Sequence, residues 1–143
     1  STRNRLPDSS MTGRIKPLSL FIIYGRDPMP IQRIDPETRY SEAVIVNGLM
    51  FCSGMVPEVD SDDTREQTRD VLAQIDRLLE RVGSDKTKLV DATIFLASLD
   101  DYAAMNEVWD AWLTAGCAPA RATVEAKLAS PDWKVEVKIV AAV

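Results

Sequence analysis

The side chains that could do chemistry in this sequence are an arginine and two glutamates near its C-terminal end. Arg121 carries a guanidinium whose parallel N–H donors match the two oxygens of a carboxylate, so it could hold a small acid in a fixed orientation. Glu136 carries a carboxylate that could position a water molecule and relay its protons, and Glu125 is a rival for that role. Residue type alone is equally compatible with structural ion pairs to nearby basic side chains.

The sequence contains no histidine, and this absence excludes several common enzyme designs. A Ser-His-Asp or Cys-His apparatus, a histidine-ligated zinc or iron centre and an imidazole general base all need this side chain. Acid–base chemistry must therefore come from carboxylates, lysines, tyrosines or thiols, or from a second subunit.

The composition is that of an ordinary globular domain: 143 residues, 45% hydrophobic and 27% charged. The formal net charge of −5 argues against a nucleic-acid partner, because binding to a polyanion usually depends on clustered Lys and Arg. Two cysteines are too few for a disulfide framework, and no apolar run approaches the roughly 20 residues of a membrane helix. We therefore expect a cytoplasmic protein with no membrane or nucleic-acid partner, in which Cys52 is a core thiol.

Residues 1–28 differ in composition from the rest of the chain. They contain five Lys or Arg against two Asp, a net charge of +3, which leaves −8 for residues 29–143. We interpret residues 1–28 as an N-terminal extension ahead of a natural start at Met29, although a basic leader is also compatible with organelle import. If ordered, residues 20–24 would add an edge strand or cover a subunit. Residues 29–143 are predicted to form a single domain.

The first regular pattern of that domain is a β-hairpin. Asn47-Gly48 supplies the positive φ angles that a type I′ turn requires, so residues 40–54 are predicted to form two paired antiparallel strands. A long amphipathic helix follows, in which Asp63 has the spacing of an N-terminal cap and Gly83 supplies a stop. Apolar residues recur at helical intervals between those two positions.

The second half of the domain again alternates strand and helix. Residues 89–97 are rich in Val, Ile, Thr and Phe and predict a buried strand. A second helix is predicted by an apolar stripe that includes Tyr102 and Trp109, with Asp100 or Asp101 as its cap. Two amphipathic helices need a sheet to cover, so the sequence predicts an α+β domain in which both helices pack on one face of a mixed β-sheet.

Residues 120–128 and 134–140 predict the two final strands, because apolar and polar residues alternate in both. The polar side chains of this alternation are Arg121, Thr123, Glu125, Lys127, Glu136 and Lys138. We expect them on the sheet face that the helices leave uncovered. Such a face is either solvated or part of a site between subunits, and periodicity does not decide between these two interpretations.

Two C-terminal blocks carry the most specific motifs: residues 118–125, which contain Pro-Ala-Arg, and residues 134–140, which contain Val-Glu. Upstream, Ser53-Gly54 follows the hairpin, and Tyr40 lies fourteen residues before Gly54. These motifs and their spacing resemble those of the Rid family, the reactive intermediate deaminases also called YjgF proteins, and its YoaB-type branch in particular. The resemblance extends over nearly the whole predicted domain.

This resemblance implies a chorismate-mutase-like fold that assembles as a homotrimer with three clefts between subunits. It also implies deaminase chemistry, in which an arginine holds the carboxylate of a 2-imino acid and water hydrolyses the imine to a 2-keto acid and ammonia without metal or cofactor. By position in the motifs, Arg121 would hold the carboxylate and Glu136 would position or activate the water. The other residues expected to bind substrate in the cleft are Tyr40, Ser53, Gly54, Asn106 and Thr123.

Three positions depart from the archetype of the family and leave more than one function open. Thr123 replaces a cysteine near the arginine, Lys138 replaces an acidic residue in the last strand, and Met55 replaces a polar residue. The first hypothesis is a hydrolase that deaminates small 2-imino acids. The second is a non-catalytic trimeric protein that binds small carboxylic or 2-keto acids. The acidic balance and missing histidine disfavour a third, a translation inhibitor or endoribonuclease.

Overall fold

The computed structural model describes residues 29–143, and the elements below all lie in one compact unit, Ile31–Val143. The N-terminal extension predicted for residues 1–28, including its possible edge strand at 20–24, lies outside the described residues. Among the helices that are described, none is both long and apolar enough to cross a bilayer.

Six strands form one mixed sheet in the order β1-β2-β3-β6-β4-β5. The strands are β1 (Gln32–Pro36), β2 (Ser41–Val46), β3 (Leu49–Cys52), β4 (Leu89–Leu96), β5 (Ala120–Glu125) and β6 (Val135–Ala142). Neighbouring strands pair antiparallel except β4 and β5, which run parallel. A parallel pair needs a long crossover connection, and a helical segment separates these two strands in the sequence.

The predicted hairpin is confirmed as β2 and β3. Both turn residues have positive φ, 53° at Asn47 and 75° at Gly48, and the flanking residues Val46 and Leu49 are paired across the strands. Positive φ at both central positions is the requirement of a type I′ turn, and Asn followed by Gly meets it at low steric cost.

The first predicted helix is confirmed as α1 (Thr64–Arg81). Asp63 is its N-cap, because a side-chain oxygen of Asp63 accepts a hydrogen bond of 3.2 Å from the backbone N–H of Arg65. The helix stops where Gly83 takes a φ of 77°. Its buried apolar stripe is formed by Val71, Leu72, Ile75, Leu78 and Leu79.

The second predicted helix is confirmed as α2 (Tyr102–Trp112), and Asp101, one of its two predicted caps, holds the N-cap position. The chain enters α2 through a short 3₁₀ turn, and Ser98 caps that turn by accepting a hydrogen bond of 3.1 Å from the backbone N–H of Asp100. Asp101 precedes α2 without a side-chain capping bond. The helical segment therefore begins earlier than the apolar stripe indicated, and a serine satisfies its first donors.

Both helices pack on the same face of the sheet, as predicted. The core between them is closed by fully buried side chains from both layers, including Ile75 and Met105 from the helices and Ile94, Val137 and Ile139 from the central strands. This arrangement leaves the other face of the sheet without a covering layer within residues 29–143.

The prediction for that uncovered face is right for β6 and wrong for β5. Glu136 pairs with Phe95 of β4, and side chains of paired residues share a face, so Glu136 lies on the uncovered face. Arg121 pairs with Ala92, which is three residues from Phe95 and therefore on the helix-covered face. In β5 it is Val124, 42% exposed, that points to the uncovered face.

The last two strands also differ in length from the prediction. β5 ends at Glu125 rather than at residue 128, since its partner strand β4 ends at Leu96 and the last bond between them is from the N–H of Ala126 to the Leu96 carbonyl, 2.9 Å. β6 runs two residues beyond the predicted end, to Ala142, because β3 and β4 both pair with it there.

One buried polar side chain ties α1 to the loop before β6. The Gln67 side chain is 1% exposed; its amide nitrogen donates to the carbonyls of Ser61 (2.7 Å) and Asp132 (2.9 Å), and its amide oxygen accepts from the N–H of Lys134 (2.8 Å). Both ends of the Gln67 side-chain amide are therefore paired with backbone groups. Gln67 thus fixes the point at which the strand carrying Glu136 begins.

We expect Gln67→Leu to lower the free energy of unfolding by about 2–3 kcal/mol, because a leucine fills the space but leaves backbone groups unsatisfied. Urea denaturation at a fixed protein concentration measures the effect. The matched control is Glu80→Leu on the exposed side of the same helix, for which we expect a change below about 0.5 kcal/mol. Equal stability of the two variants would contradict a bracing role for Gln67.

Candidate functional site in two clusters

Arg121 lies in the edge strand β5 and reaches three side chains of helix α2. Its Nη1 donates a hydrogen bond of 2.8 Å to Oδ1 of Asn106, and its Nη2 donates one of 3.3 Å to the hydroxyl of Tyr102. The guanidinium carbon lies 5.4 Å from the centroid of a Trp109 ring, within the range of a cation–π contact. We call Arg121, Tyr102, Asn106 and Trp109 the arginine cluster; it unites two of the predicted site residues.

Thr123 lies two residues along β5 from Arg121 and therefore on the same face. Its hydroxyl oxygen is buried and has no hydrogen-bond partner within the described part of the chain. A buried hydroxyl without a partner costs free energy unless water, a ligand or another chain supplies one. Thr123 thus offers an unused donor and acceptor beside the guanidinium.

Glu125, the rival carboxylate, continues this row of side chains but has a structural partner. Its Oε1 accepts a hydrogen bond of 3.0 Å from the backbone N–H of Leu99, at the entry to α2. A carboxylate that satisfies the first donors of a helical turn is acting as a cap. This contact favours Glu136 over Glu125 as the carboxylate available for chemistry.

Glu136 lies half-buried on the uncovered face, pressed against the backbone of Gly54. A methyl group built on Gly54 would overlap Oε1 of Glu136 and come within 2.9 Å of its Cδ. A larger residue at this position would require the Glu136 side chain to move, because its carboxylate occupies the space of a Cβ. Within residues 29–143 Glu136 makes no ion pair, so neither Lys134, Lys138 nor Arg121 neutralises it in the single chain.

An irregularity in the β3–β6 pairing creates the contact between Gly54 and Glu136. Phe51 pairs with Val140, but Met55 pairs with Val137. The chain therefore advances four residues after Phe51 while its partner strand advances three, so one residue is extra. Such a bulge redirects side chains and frees backbone groups. The freed carbonyl of Cys52 accepts a hydrogen bond of 2.7 Å from Nζ of Lys138.

Ser53, Gly54 and Tyr40 meet in a cavity of about 450 Å³ beside this bulge. The hydroxyl of Ser53 donates a hydrogen bond of 2.6 Å to the carbonyl of Ser41, so Ser53 is held by its own hairpin. The ring of Tyr40 is 57% exposed at the mouth of the cavity. We call Tyr40, Ser53, Gly54 and Glu136 the Gly54 cluster; it contains the other predicted site residues apart from Thr123.

The two clusters are separate in one chain. Arg121 and Glu136 lie on strands that flank β4, at pairing positions three residues apart along it. Standard sheet spacings put their Cα atoms about 14 Å apart, and their side chains point to opposite faces. A small acid held by the guanidinium of Arg121 therefore cannot touch the carboxylate of Glu136 of the same chain.

Tyr102 and Trp109 are the site residues that the sequence analysis missed. Both were assigned to the apolar stripe of the second helix, and Trp109 is indeed 3% exposed, whereas Tyr102 is 43% exposed. The signal that could have found them is their spacing from Asn106: positions 102, 106 and 109 share one face of a helix. A residue expected to line the cleft thus marks its helical neighbours as candidates.

The cysteines are not part of either cluster. Cys52 is buried, as predicted, and its burial raises the pKa of the thiol, which keeps it protonated and unreactive near neutral pH. Cys117 is half-buried in a loop. Among the described residues, no three Cys, Asp or Glu side chains gather as a metal-binding group.

A second cavity, of about 350 Å³, lies between the two helices on the outside of the domain. It is lined mainly by apolar parts of Leu72, Ala73, Val108, Ala111 and Trp112. Arg69, Asp76 and Glu107 also line it; Glu107 forms an ion pair with Arg65, and Asp76 accepts a hydrogen bond of 2.9 Å from the Trp112 indole. None of the predicted site residues lies in it.

Comparison with known proteins places this arrangement in a family. The family model described as endoribonuclease L-PSP matches residues 30–143. The RutC family protein YoaB of Escherichia coli strain K12 is 56% identical over 115 residues, which are 80% of this chain and 100% of YoaB. The mitochondrial protein mmf1 of Schizosaccharomyces pombe is 31% identical over 137 residues, 89% of this chain and 84% of mmf1.

Solved structures agree with these relatives. A member of the YjgF protein family from Neisseria meningitidis superposes with a TM-score of 0.77 at 58% identity, over 80% of this chain and 95% of that one. The Rid family protein YyfA of Yersinia pestis superposes with a TM-score of 0.75 at 28% identity, over 80% of this chain and all of YyfA. The predicted chorismate-mutase-like fold is confirmed by this likeness. The chain therefore belongs to the endoribonuclease L-PSP family, the group of YjgF, RutC and Rid proteins.

Proposed function

We propose that this protein hydrolyses small reactive 2-imino acids to 2-keto acids and ammonia, as an enamine/imine deaminase that uses no metal or cofactor. Arg121 holds the carboxylate of the substrate, and Glu136 handles the attacking water. The observation that carries the proposal is the arginine cluster: a guanidinium fixed by uncharged partners, with no carboxylate of its own among residues 29–143. Membership of a family with hydrolase-like members supports the same conclusion at a coarser level.

The hydrogen-bond count at Arg121 leaves room for a ligand. A guanidinium has five N–H donors, and Asn106 and Tyr102 accept one each, so three remain. Two of them suffice for a bidentate carboxylate, which fixes the orientation of the acid as well as binding it. Thr123 adds a buried hydroxyl on the same face of the strand, without a partner among residues 29–143.

The reaction needs one water molecule and one proton relay. Glu136 takes a proton from the water as its oxygen bonds to the imine carbon, and the electron pair of the C=N bond moves to the nitrogen. The nitrogen receives this proton from Glu136, which gives the carbinolamine. Glu136 then takes the hydroxyl proton and passes it to the nitrogen as the C–N bond breaks, so ammonia leaves and a C=O bond forms. The absence of an ion pair at Glu136 within the described chain keeps this carboxylate available.

The separation of the two clusters leads us to propose that the site is completed between subunits of a homotrimer. An Arg121 of one chain would then face the Gly54 cluster of its neighbour. The uncovered sheet face supports this assembly, because it exposes large apolar side chains, with Phe51 at 38% and Val124 at 42% exposure. Apolar side chains on an open sheet face are typical of a buried interface.

The direct test generates 2-iminopropanoate from serine with a dehydratase and traps the surviving imine with semicarbazide. We expect the protein to reduce the trapped fraction. Arg121→Ala should lower kcat/KM by about 100-fold or more, mainly through KM, because two charge-assisted hydrogen bonds are lost. Glu136→Gln should lower kcat by about 100-fold, because the amide cannot accept the proton.

The matched control is Glu125→Gln, which alters a carboxylate on the neighbouring strand that caps Leu99, and which should change kcat/KM by less than about threefold. Arg121→Lys should be intermediate, since it keeps the charge but loses the bidentate geometry. Undiminished semicarbazone formation with the wild-type protein, or full activity in Arg121→Ala, would contradict the proposed function.

A second prediction concerns the unpartnered hydroxyl of Thr123. We expect Thr123→Val to leave the melting temperature unchanged or slightly raised, because the valine removes a buried polar group that has no partner among residues 29–143. The same change should raise KM by about threefold to tenfold if the hydroxyl binds substrate, and Thr123→Ser should restore it. A drop in stability with an unaltered KM would show that the hydroxyl has a structural partner instead.

The same assays separate the alternative functions. Saturable binding of 2-oxobutanoate in calorimetry without imine turnover would identify a binding protein. The residues at Thr123 and Lys138, which depart from the archetype of the family, favour this alternative. The name of the family model motivates an RNA-cleavage assay as a further arm. Cleavage that is lost in Glu136→Gln would replace our proposal, whereas cleavage that separates from the protein on purification would not.

A further inference from the structure

We propose that Tyr102 and Trp109 are positioning residues that hold the Arg121 guanidinium in its ligand-binding orientation before any ligand arrives. This inference rests on the proposed function, since it concerns the same arginine, but it adds two residues that were not among the predicted site residues. Both act through Arg121 rather than on the reacting atoms.

One helix, α2, supplies the partners of the Arg121 guanidinium among the described residues. Tyr102, Asn106 and Trp109 are spaced four and three residues apart on α2, so they form one continuous stripe along it. Trp109 is 3% exposed and packs against Trp112, with ring centroids 5.4 Å apart. Its ring therefore cannot move away from the arginine without opening the core.

These contacts restrain both the position and the rotation of the Arg121 guanidinium. The Trp109 ring limits movement of the guanidinium perpendicular to the ring, at a distance of 5.4 Å from the guanidinium carbon. The bonds from Nη1 to Asn106 and from Nη2 to Tyr102 fix the two terminal nitrogens, so rotation about the last side-chain bonds would break at least one of them. A flat group held at two nitrogens and one face has a single orientation.

Restraint of Arg121 in the free protein should strengthen its binding of a ligand. A free arginine side chain loses rotamer freedom when it grips a ligand, and that loss weakens binding. Here the chain has ordered Arg121 in advance, with three N–H donors still unused. Loosening the restraint should therefore weaken the binding of substrate and product alike, and it should leave the chemical step nearly unchanged.

The experiment measures binding of 2-oxobutanoate by calorimetry, together with KM and kcat for 2-iminopropanoate, in Tyr102→Phe, Trp109→Leu and Trp109→Phe. We expect Tyr102→Phe to raise Kd and KM by about threefold to tenfold with kcat within about twofold. Trp109→Leu should raise Kd by about tenfold or more, and Trp109→Phe should recover most of the loss because it keeps an aromatic face. Val108→Ala is the control, since Val108 is buried on the same helix but faces the cavity between the helices.

A second readout needs neither ligand nor activity. In the free protein, the ring current of Trp109 should displace the Nε–H resonance of Arg121 from its random-coil position. Trp109→Leu should abolish this displacement, Tyr102→Phe should reduce it, and Val108→Ala should leave it in place. An Arg121 resonance that is unchanged in both Trp109→Leu and Tyr102→Phe would overturn the positioning role. Unchanged Kd and KM in Tyr102→Phe and Trp109→Phe would also overturn it, if Trp109→Leu binds 2-oxobutanoate as tightly as the wild type.

The two proposals fail in different ways. A wild-type protein that neither binds 2-oxobutanoate nor hydrolyses 2-iminopropanoate would contradict the proposed function, and the Arg121 resonance would then decide the positioning role alone. A wild-type protein that binds and turns over, with the cluster variants indistinguishable from Val108→Ala in Kd, KM and resonance, would contradict only the positioning role.

Discussion

Alternation of side chains along a β-strand places Arg121 and Glu136 on opposite faces of one sheet, and the rest of the account depends on this constraint. Register with β4 fixes the assignment, because Ala92 beside Arg121 is buried under the helices whereas Phe95 beside Glu136 is on the open face. No rotamer change can bring a carboxylate across a packed sheet. A site that uses both side chains must therefore take them from two copies of the chain.

Each half of that divided site has its own structural support. On the helix-covered face, α2 presents one stripe of side chains to Arg121, and the neutral partners leave the positive charge free for an anion. On the open face, the bulge after β3 brings Gly54 so close to Glu136 that a side chain at position 54 would displace the carboxylate. The Arg121 guanidinium makes no ion pair among residues 29–143 and is held by uncharged groups, which suits a small anionic ligand.

The sequence predicted the elements well because their signals are local. Asn47-Gly48 determines the hairpin by its own φ angles, and apolar spacing determines α1. Alternation in β5 predicted correctly that Arg121 and Thr123 share a face, but not which face, because that choice depends on pairing with a distant strand. Two of the three partners of Arg121 on α2, Tyr102 and Trp109, were missed for the same reason, and the catalytic roles of Arg121 and Glu136 stay predictions.

The central claim is that Arg121 of one chain and Glu136 of another serve one site, and mixing two inactive variants tests it most directly. Arg121→Ala and Glu136→Gln would be co-expressed with different affinity tags, and mixed assemblies would be isolated and verified by mass spectrometry. Sites built from two chains predict recovery of about a third of wild-type activity in the isolated mixed trimers, since each closed ring of either mixed composition has one interface of three with both residues intact. Activity no higher than that of the separate variants, in verified mixed assemblies, would contradict the claim.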